Sequence, residues 1–162
     1  GTEYRLTAAG LELRPIIEQL GVWGKRWARS ELETRDLDPG LLMWDIHRRL
    51  NVERMPGRRT VLRFELLDVF TSMRRWWLVV DRGSVDLCLK DPGYPLDLRV
   101  TTDLRTLTAV WNGDLALRGA TAAGTLSLDG PRELVRAFPS WLALSPFAGV
   151  PAAEAPTGGR SG

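Results

Sequence analysis

The hydrophobic pattern of this 162-residue chain changes its period twice. Up to about residue 54, apolar residues recur at the i, i+3, i+4, i+7 spacing of an α-helical face. From Thr60 to Thr101, apolar and polar residues alternate, as they do in half-buried β-strands. Helical spacing returns after residue 102. This order predicts an α+β fold, in which helices cover one antiparallel five-stranded sheet.

The predicted strands follow one another through short connections. The run Trp76–Asp81 is apolar on both faces, which predicts a central strand. Residues 81–84 have the composition of a tight hairpin turn, and residues 91–95 that of a second turn. Strands joined in series by such turns form an antiparallel meander. The five predicted strands are 60–67, 76–81, 85–90, 96–101 and 124–130.

A long amphipathic helix is predicted over residues 8–29, with Thr7 as its N-cap. Pro15 is expected to kink this helix or to leave its first two turns irregular. The apolar stripe must be buried, either on its own domain or against the same helix of a partner subunit, and we favour the homodimer. The stripe residues are Leu13, Ile16, Ile17, Leu20, Trp23 and Trp27.

The domain limits follow from composition. The acidic stretch 31–40 ends in Pro39-Gly40 and predicts a linker. Residues 149–162 are small, contain prolines and show no periodicity, so they are predicted to form a disordered tail. The folded domain is therefore predicted over 41–148, with helices at 41–54, at 102–111 and from Pro131 onwards.

The charge balance gives little sign of a nucleic-acid partner. The net charge is +2, and eleven basic against nine acidic residues place that surplus wholly in residues 1–59. A phosphate-binding domain would normally carry a basic stripe. Cys88 is the only cysteine, which excludes an internal disulfide and predicts a reducing, cytoplasmic location. No apolar run reaches the roughly 18 residues of a transmembrane helix.

Candidates for catalytic chemistry are few. His47 is the only histidine, so a Ser/His/Asp or Cys/His arrangement would require it, and we interpret it as a surface or core-edge residue. His47 and Cys88 together do not supply the three or four ligands of a zinc site. No phosphate-binding or nucleophile motif occurs. We therefore expect a protein that is not an enzyme and that uses no metal or cofactor.

Three arginine pairs lie at 48–49, 58–59 and 74–75. Because acidic residues lie near each pair, we interpret them as solvated charges. If a ligand carries an anionic head, one pair at the mouth of a pocket is expected to bind it.

Tryptophan is unusually frequent, with seven residues. Trp76 and Trp77 are adjacent in a predicted strand and must point to opposite faces of the sheet. These rings either form a filled core or line an apolar pocket that suits an elongated hydrophobic ligand. The candidate ligand-binding residues are Trp44, Trp76, Trp77, Leu87, Leu98, Leu107, Trp111, Phe138 and Trp141.

The N-terminal segment contains a compact motif, Tyr4-x-Leu6-Thr7, Gly10, Leu13-x-Pro15 and Trp23-Gly24. It resembles the end of the HxlR-type winged-helix DNA-binding domain, where these elements form the last strand of the wing and the dimerisation helix. The resemblance implies that residues 1–30 end a truncated winged-helix domain. It also implies that DNA is bound only through an upstream recognition segment absent from this chain.

The remainder, a helix, a meander, a helix and then Gly124-Thr125-Leu126-Ser127-Leu128-Asp129-Gly130, is similar to the sterol-carrier-protein-like fold. Such domains enclose an apolar tunnel that accepts acyl chains or sterol-like molecules. Together the two resemblances imply the effector-binding and dimerisation part of a bacterial transcription regulator, with a hydrophobic or lipid-like small molecule as effector. The alternative is a structural dimerisation domain with a filled core and no ligand.

Overall fold

The computed structural model describes residues 5–27 and 37–151. These residues divide between two units, one with 5–27 and 149–151 and the other with 37–148. Most of the predicted linker, 31–36, and most of the predicted tail, 152–162, lie outside the described residues, so both remain predictions.

The first unit contains one helix, α1, which spans Ala8–Trp27. Thr7 caps it as predicted, because its hydroxyl accepts a hydrogen bond from the Gly10 N–H at 3.2 Å. The helix is continuous through Pro15, which has no N–H to donate to the Leu11 carbonyl one turn earlier. No side chain of α1 is buried.

The second unit contains four α-helices. They are α2 (Pro39–Arg48), α3 (Leu104–Trp111), α4 (Leu117–Ala122) and α5 (Arg132–Trp141), with short 3₁₀ turns at Val52–Arg54 and Thr71–Met73. Asp38 caps α2 by accepting from the N–H groups of Gly40 and Leu41 at 2.6 and 3.0 Å. The end of the predicted linker therefore starts a helix, since Pro39 occupies the first-turn position that tolerates proline.

The sheet contains five strands in the order β3-β2-β1-β4-β5. They span β1 Thr60–Leu66, β2 Arg75–Asp81, β3 Ser84–Cys88, β4 Leu98–Thr102 and β5 Leu126–Asp129. Three pairings are antiparallel, whereas β1 and β4 pair in parallel. The prediction of a wholly antiparallel sheet was therefore wrong: the sheet is mixed.

The parallel pair arises from the segment between β3 and β4, residues 89–97. A turn would have placed β4 beside β3, but this segment crosses β2 and β1 to reach the far side of β1. Cys88 at the end of β3 is level with Trp77, and Trp77 is level with Arg63 in β1. Arg63 in turn pairs with Arg99, the second residue of β4. Since the two ends lie at nearly the same height, nine residues suffice to cross the roughly 14 Å of three strand spacings.

The crossover lies on the face of the sheet that has no helices. Arg59 precedes β1 in the same alternation as Val61, and its guanidinium lies 4.2 Å from the centre of the Tyr94 ring. Arg59 also donates two hydrogen bonds to Asp81, which raise the pKa of its guanidinium. On this face Val61, Trp77 and Val79 form a small buried cluster. Trp77 is thus buried without contacting the main core.

The main core lies between the other face of the sheet and the helices. Phe138 of α5 packs on Phe64 of β1 with ring centres 6.3 Å apart, and edge-on against Trp141 at 6.0 Å. The indole N–H of Trp141 donates to the Arg54 carbonyl at 3.0 Å, and that of Trp111 to the Asp45 carboxylate at 2.7 Å. These two buried indoles are therefore satisfied by specific acceptors, which join α5 to the 3₁₀ turn at 52–54 and α3 to α2.

Candidate functional site

Six of the nine predicted ligand-binding residues fill the main core. Each is at most 4% exposed, and together they pack between the sheet and the helices. These six residues are Trp76, Leu98, Leu107, Trp111, Phe138 and Trp141. Close packing thus accounts for most of the tryptophan-rich pattern.

The other three predicted residues are dispersed. Trp77 lies on the opposite face of the sheet, and Leu87 is half-buried at the edge of the core. Trp44 is 53% exposed and stacks on His47, with ring centres 5.0 Å apart. The structure therefore does not bring the nine side chains into one cavity, and their ligand-binding role stays a prediction.

A large groove occurs instead at the β5 edge of the sheet, between α4 and α5. Its volume is about 650 Å³ and it opens to solvent. Leu126 forms part of its floor and is almost fully buried, while Leu128 and Val135 are half-buried beside it. The lining residues are Leu117, Arg118, Thr121, Gly124, Leu126, Ser127, Leu128, Val135, Arg136 and Pro139.

The groove depends on a sharp change of direction between α4 and β5. Gly124 has φ +73°, and its N–H donates to the Thr121 carbonyl at 3.1 Å. Thr125 donates to the Ala120 carbonyl at 3.1 Å, which ends the helix. The left-handed residue is a glycine because a side chain disfavours this conformation. The turn brings α4 back alongside β5 and forms one wall of the groove.

On the opposite wall, α5 places Val135 and Pro139 one turn apart on the groove side. Pro139 lacks an N–H, so the Val135 carbonyl has no intrahelical donor four residues later. Val135 and Pro139 therefore make this wall of the groove apolar.

Two arginines line the same groove, Arg118 on α4 and Arg136 on α5. Both are exposed, and within the described part of the chain neither guanidinium forms an ion pair or hydrogen bond. They are free to bind an anion presented at the surface of the groove. An apolar floor beneath two free guanidinium groups suits a molecule with an apolar body and an anionic head.

Sequence reasoning missed this groove. Residues 115–123 show neither a clear helical nor a clear strand periodicity, and they form the turn before α4, the helix and its C-cap. The available signals were the alternation of Leu126 and Leu128 and the helical spacing of Val135 and Pro139. None of the three predicted arginine pairs lines the groove: Arg58 and Arg59 are bound to Asp97 and Asp81.

A second, smaller cleft has a volume of about 380 Å³. Arg54, Arg58 and Glu133 line it together with an apolar floor that includes Trp141, the one predicted ligand residue that lines either cavity. Its mixed charges and smaller volume make it a poorer match for an apolar ligand.

His47 and Cys88 are not assembled into a reactive site. His47 Nε2 lies 2.9 Å from the Val85 carbonyl, and its Nδ1 has no partner among the described atoms. Cys88 packs against the cluster of Val61, Trp77 and Val79. Within 5–27 and 37–151 there is no group of three residues that could hold a metal ion. No helix in those ranges is long and apolar enough to cross a bilayer.

A mixed five-stranded sheet with helices on one face and a crossover on the other is an α+β architecture that resembles the sterol-carrier-protein fold. Solved structures show the same fold. The sterol carrier protein domain 2 of Helicoverpa armigera superposes with a TM-score of 0.50 at 13% identity, over 67% of this chain and 88% of that one.

The inverting sec-alkylsulfatase Pisa1 from Pseudomonas sp. also contains the fold. It superposes with a TM-score of 0.53 at 22% identity, over 67% of this chain. The match covers only 17% of the sulfatase, so this chain corresponds to a small part of that protein. No protein-family model and no curated protein matches the chain.

Proposed function

We propose that the domain binds an elongated apolar molecule with an anionic head in the groove between α4, β5 and α5. The observation that carries this proposal is an apolar floor beside two arginines, Arg118 and Arg136, which have no ion pair within the described part of the chain. A volume of about 650 Å³ falls within the usual range of about 300 to 1,000 Å³ for small-molecule sites. A long-chain carboxylic acid has the required chemistry.

The fold is consistent with such a role, since the superposed Helicoverpa domain is named as a sterol carrier. We also propose that this chain binds and does not catalyse. The basis is the arrangement of His47 and Cys88, which lie in separate packing environments with no acid-base partner shown beside either. The activity of the sulfatase does not transfer, because the match covers so little of that enzyme.

A structural domain without a ligand is the competing function. It is favoured by the close packing of the six core residues, which leave the tryptophan-rich centre filled. The ligand-binding function and the structural function differ in whether a ligand occupies the groove between α4, β5 and α5. A structural domain leaves it empty, whereas a carrier domain fills it reversibly.

Native mass spectrometry of the gently purified chain, before and after solvent extraction, separates the two functions. We expect a lipid-like mass that extraction removes, and saturable displacement of a fluorescent fatty acid by unlabelled long-chain acid. The absence of both would reject the binding function and favour the structural one. A retained affinity in a variant with Thr121→Trp, which fills the groove, would place binding elsewhere.

We further propose that α1 pairs with the same helix of a second subunit, in a dimeric cytoplasmic regulator. The support is the resemblance at residues 4–24 together with the exposure of all six stripe residues, each 55–62% exposed in the single chain. In this arrangement the ligand-binding domain is the sensing part, and DNA is contacted only by a segment upstream of this chain. Ligand occupancy would then act on the dimer.

A further inference from the structure

Phe70 is the most exposed large apolar side chain in the described part of the molecule, at 86%. It lies in the loop between β1 and β2, and Leu67 in the same loop is 57% exposed. At this exposure the Phe70 ring makes little contact with the domain itself, so most of its apolar surface is available to a partner.

The loop is held in place, so the exposure of Phe70 is not a consequence of fraying. The Leu104 N–H, at the start of α3, donates to the Asp68 carboxylate at 2.8 Å. The Trp76 indole N–H donates to the Met73 carbonyl at 2.6 Å. These bonds fix both sides of Phe70, so little conformational entropy is lost when its ring is buried by a partner.

The charges around the loop favour an anionic partner. Arg74 and Arg75 follow Phe70 closely and are exposed. Among the acids near the loop, Asp68 and Asp103 keep their charges while they accept from neutral groups of α3, and Glu65 is shared by Arg75 at 3.7 Å and Arg63 at 3.2 Å. The outward surface of the loop therefore presents a projecting aromatic ring beside two cationic side chains, one of which, Arg74, has no side-chain partner among the described residues.

The loop and the groove lie at the same end of the sheet. Leu67 donates to the Thr102 carbonyl at 2.9 Å, and Thr102 pairs with Leu126, which lines the groove. The loop is thus about two strand spacings, roughly 10 Å, from the groove across β4. A surface that contacts Phe70 would lie close to the groove as well.

We infer that the β1–β2 loop docks this domain on anionic lipid bilayers, with Phe70 inserted among the lipids and Arg74 and Arg75 at the headgroups. Basic residues beside a short apolar insertion are the combination that interfacial membrane binding requires. The inference goes beyond ligand binding in the groove, and bilayer docking can be measured with the groove empty. Docking through this loop would bring the groove, about two strand spacings away, close to the bilayer as a source of apolar ligand.

The test is flotation of the full chain with vesicles of phosphatidylcholine, with and without phosphatidylglycerol. We expect binding only to the anionic vesicles, weakening as salt rises. Phe70→Ser should weaken vesicle binding at least about tenfold, because burying a large apolar side chain contributes at least that much to affinity. Arg74→Gln and Arg75→Gln should each weaken it about fivefold. Leu96→Ser, which removes an exposed apolar side chain from the crossover at the opposite end of the sheet, should have no effect.

An environment-sensitive label gives a second, direct measurement. In a Cys88→Ser background, Phe70→Cys carries the label in one protein, and Leu96→Cys, at the opposite end of the sheet, carries it in the other. We expect a blue shift on adding anionic vesicles only for the label at position 70. Flotation that Phe70→Ser leaves unchanged, or a shift of equal size at both positions, overturns the inference. So does a Phe70→Ser variant that changes the oligomeric state, because Phe70 then contacts protein.

Discussion

Trp76 and Trp77 are consecutive residues of β2, and their rings lie on opposite faces of the sheet. Trp76 packs in the main core, and its indole N–H donates to the Met73 carbonyl. Trp77 packs with Val61 and Val79 on the face that the crossover spans. At β2 the sheet is therefore buried on both sides, which explains why residues 76–80 of this strand are all apolar.

The buried position of Trp76 leads to a stability prediction. Trp76→Ala should lower the free energy of unfolding by about 3–5 kcal/mol, because it removes a large core side chain and its hydrogen bond. Trp44→Ala is the matched control, since Trp44 is exposed and stacks only on His47, and it should cost less than about 1 kcal/mol. Urea denaturation measures both, and equal losses would contradict the placement of the two rings.

The side chain of Asp97 is predicted to stabilise the end of the crossover, where the chain enters β4. Its carboxylate accepts from the Val61 N–H at 2.8 Å and from Arg58 at 2.8 Å. Asp97→Ala leaves the buried Val61 N–H without an acceptor and should cost on the order of 2 kcal/mol of stability. Asp86→Ala, at an exposed strand position, should change the denaturation midpoint little. A similar midpoint for both variants would show that the hydrogen bonds of the Asp97 carboxylate do not stabilise the crossover.

Gly124 is predicted to be required for its backbone conformation alone. A Cβ at this position would meet nothing within 4 Å, yet φ is +73°. Gly124→Ala should therefore destabilise the domain by about 1 kcal/mol through strain. Gly57→Ala also meets open space but has no positive φ, so thermal unfolding should separate the two. Ligand affinity should fall with Gly124→Ala only if the α4–β5 turn shifts the wall of the groove.

The two groove arginines are predicted to select for an anionic head. A chain with Arg118→Gln and Arg136→Gln should bind a long-chain carboxylic acid at least about tenfold more weakly, since charge-assisted hydrogen bonds are lost. Its affinity for the alcohol of equal chain length should change little. Arg132→Gln, on the same helix but outside the groove, is the control. Equal weakening for acid and alcohol would show that the arginines support the groove without recognising charge.

The stripe of α1 is predicted to form the dimer interface. Ile16→Glu with Leu20→Glu introduces charge into the apolar stripe and should convert a dimer to a monomer in size-exclusion chromatography with light scattering. Glu18→Gln, on the same helix, should leave the mass unchanged. If the unmodified chain is monomeric at every concentration, the dimer proposal fails.

The strands, the hairpin turn and the helix caps could be predicted from the sequence, because each depends on residues that are close together in the chain. Alternation located the strands to within a few residues and placed Trp76 and Trp77 on opposite faces. The turn at 82–83 was predicted correctly, since Arg82 and Gly83 both have positive φ, as a two-residue hairpin requires. The cap by Thr7 also follows from residue type and position. For α3 the residue types allow either Thr102 or Asp103, and the structure uses Asp103.

The sequence by itself thus determined the α+β class, the strands, the long N-terminal helix and the apolar face of each element. Only the tertiary structure decided that β4 pairs in parallel with β1, because a nine-residue crossover and a turn have the same local composition. The tertiary structure alone also decided that six of the nine candidate ligand-binding residues fill the core, whereas the groove forms at β5. A groove is the space left between packed elements, and that space depends on where α4 and α5 pack rather than on any one segment.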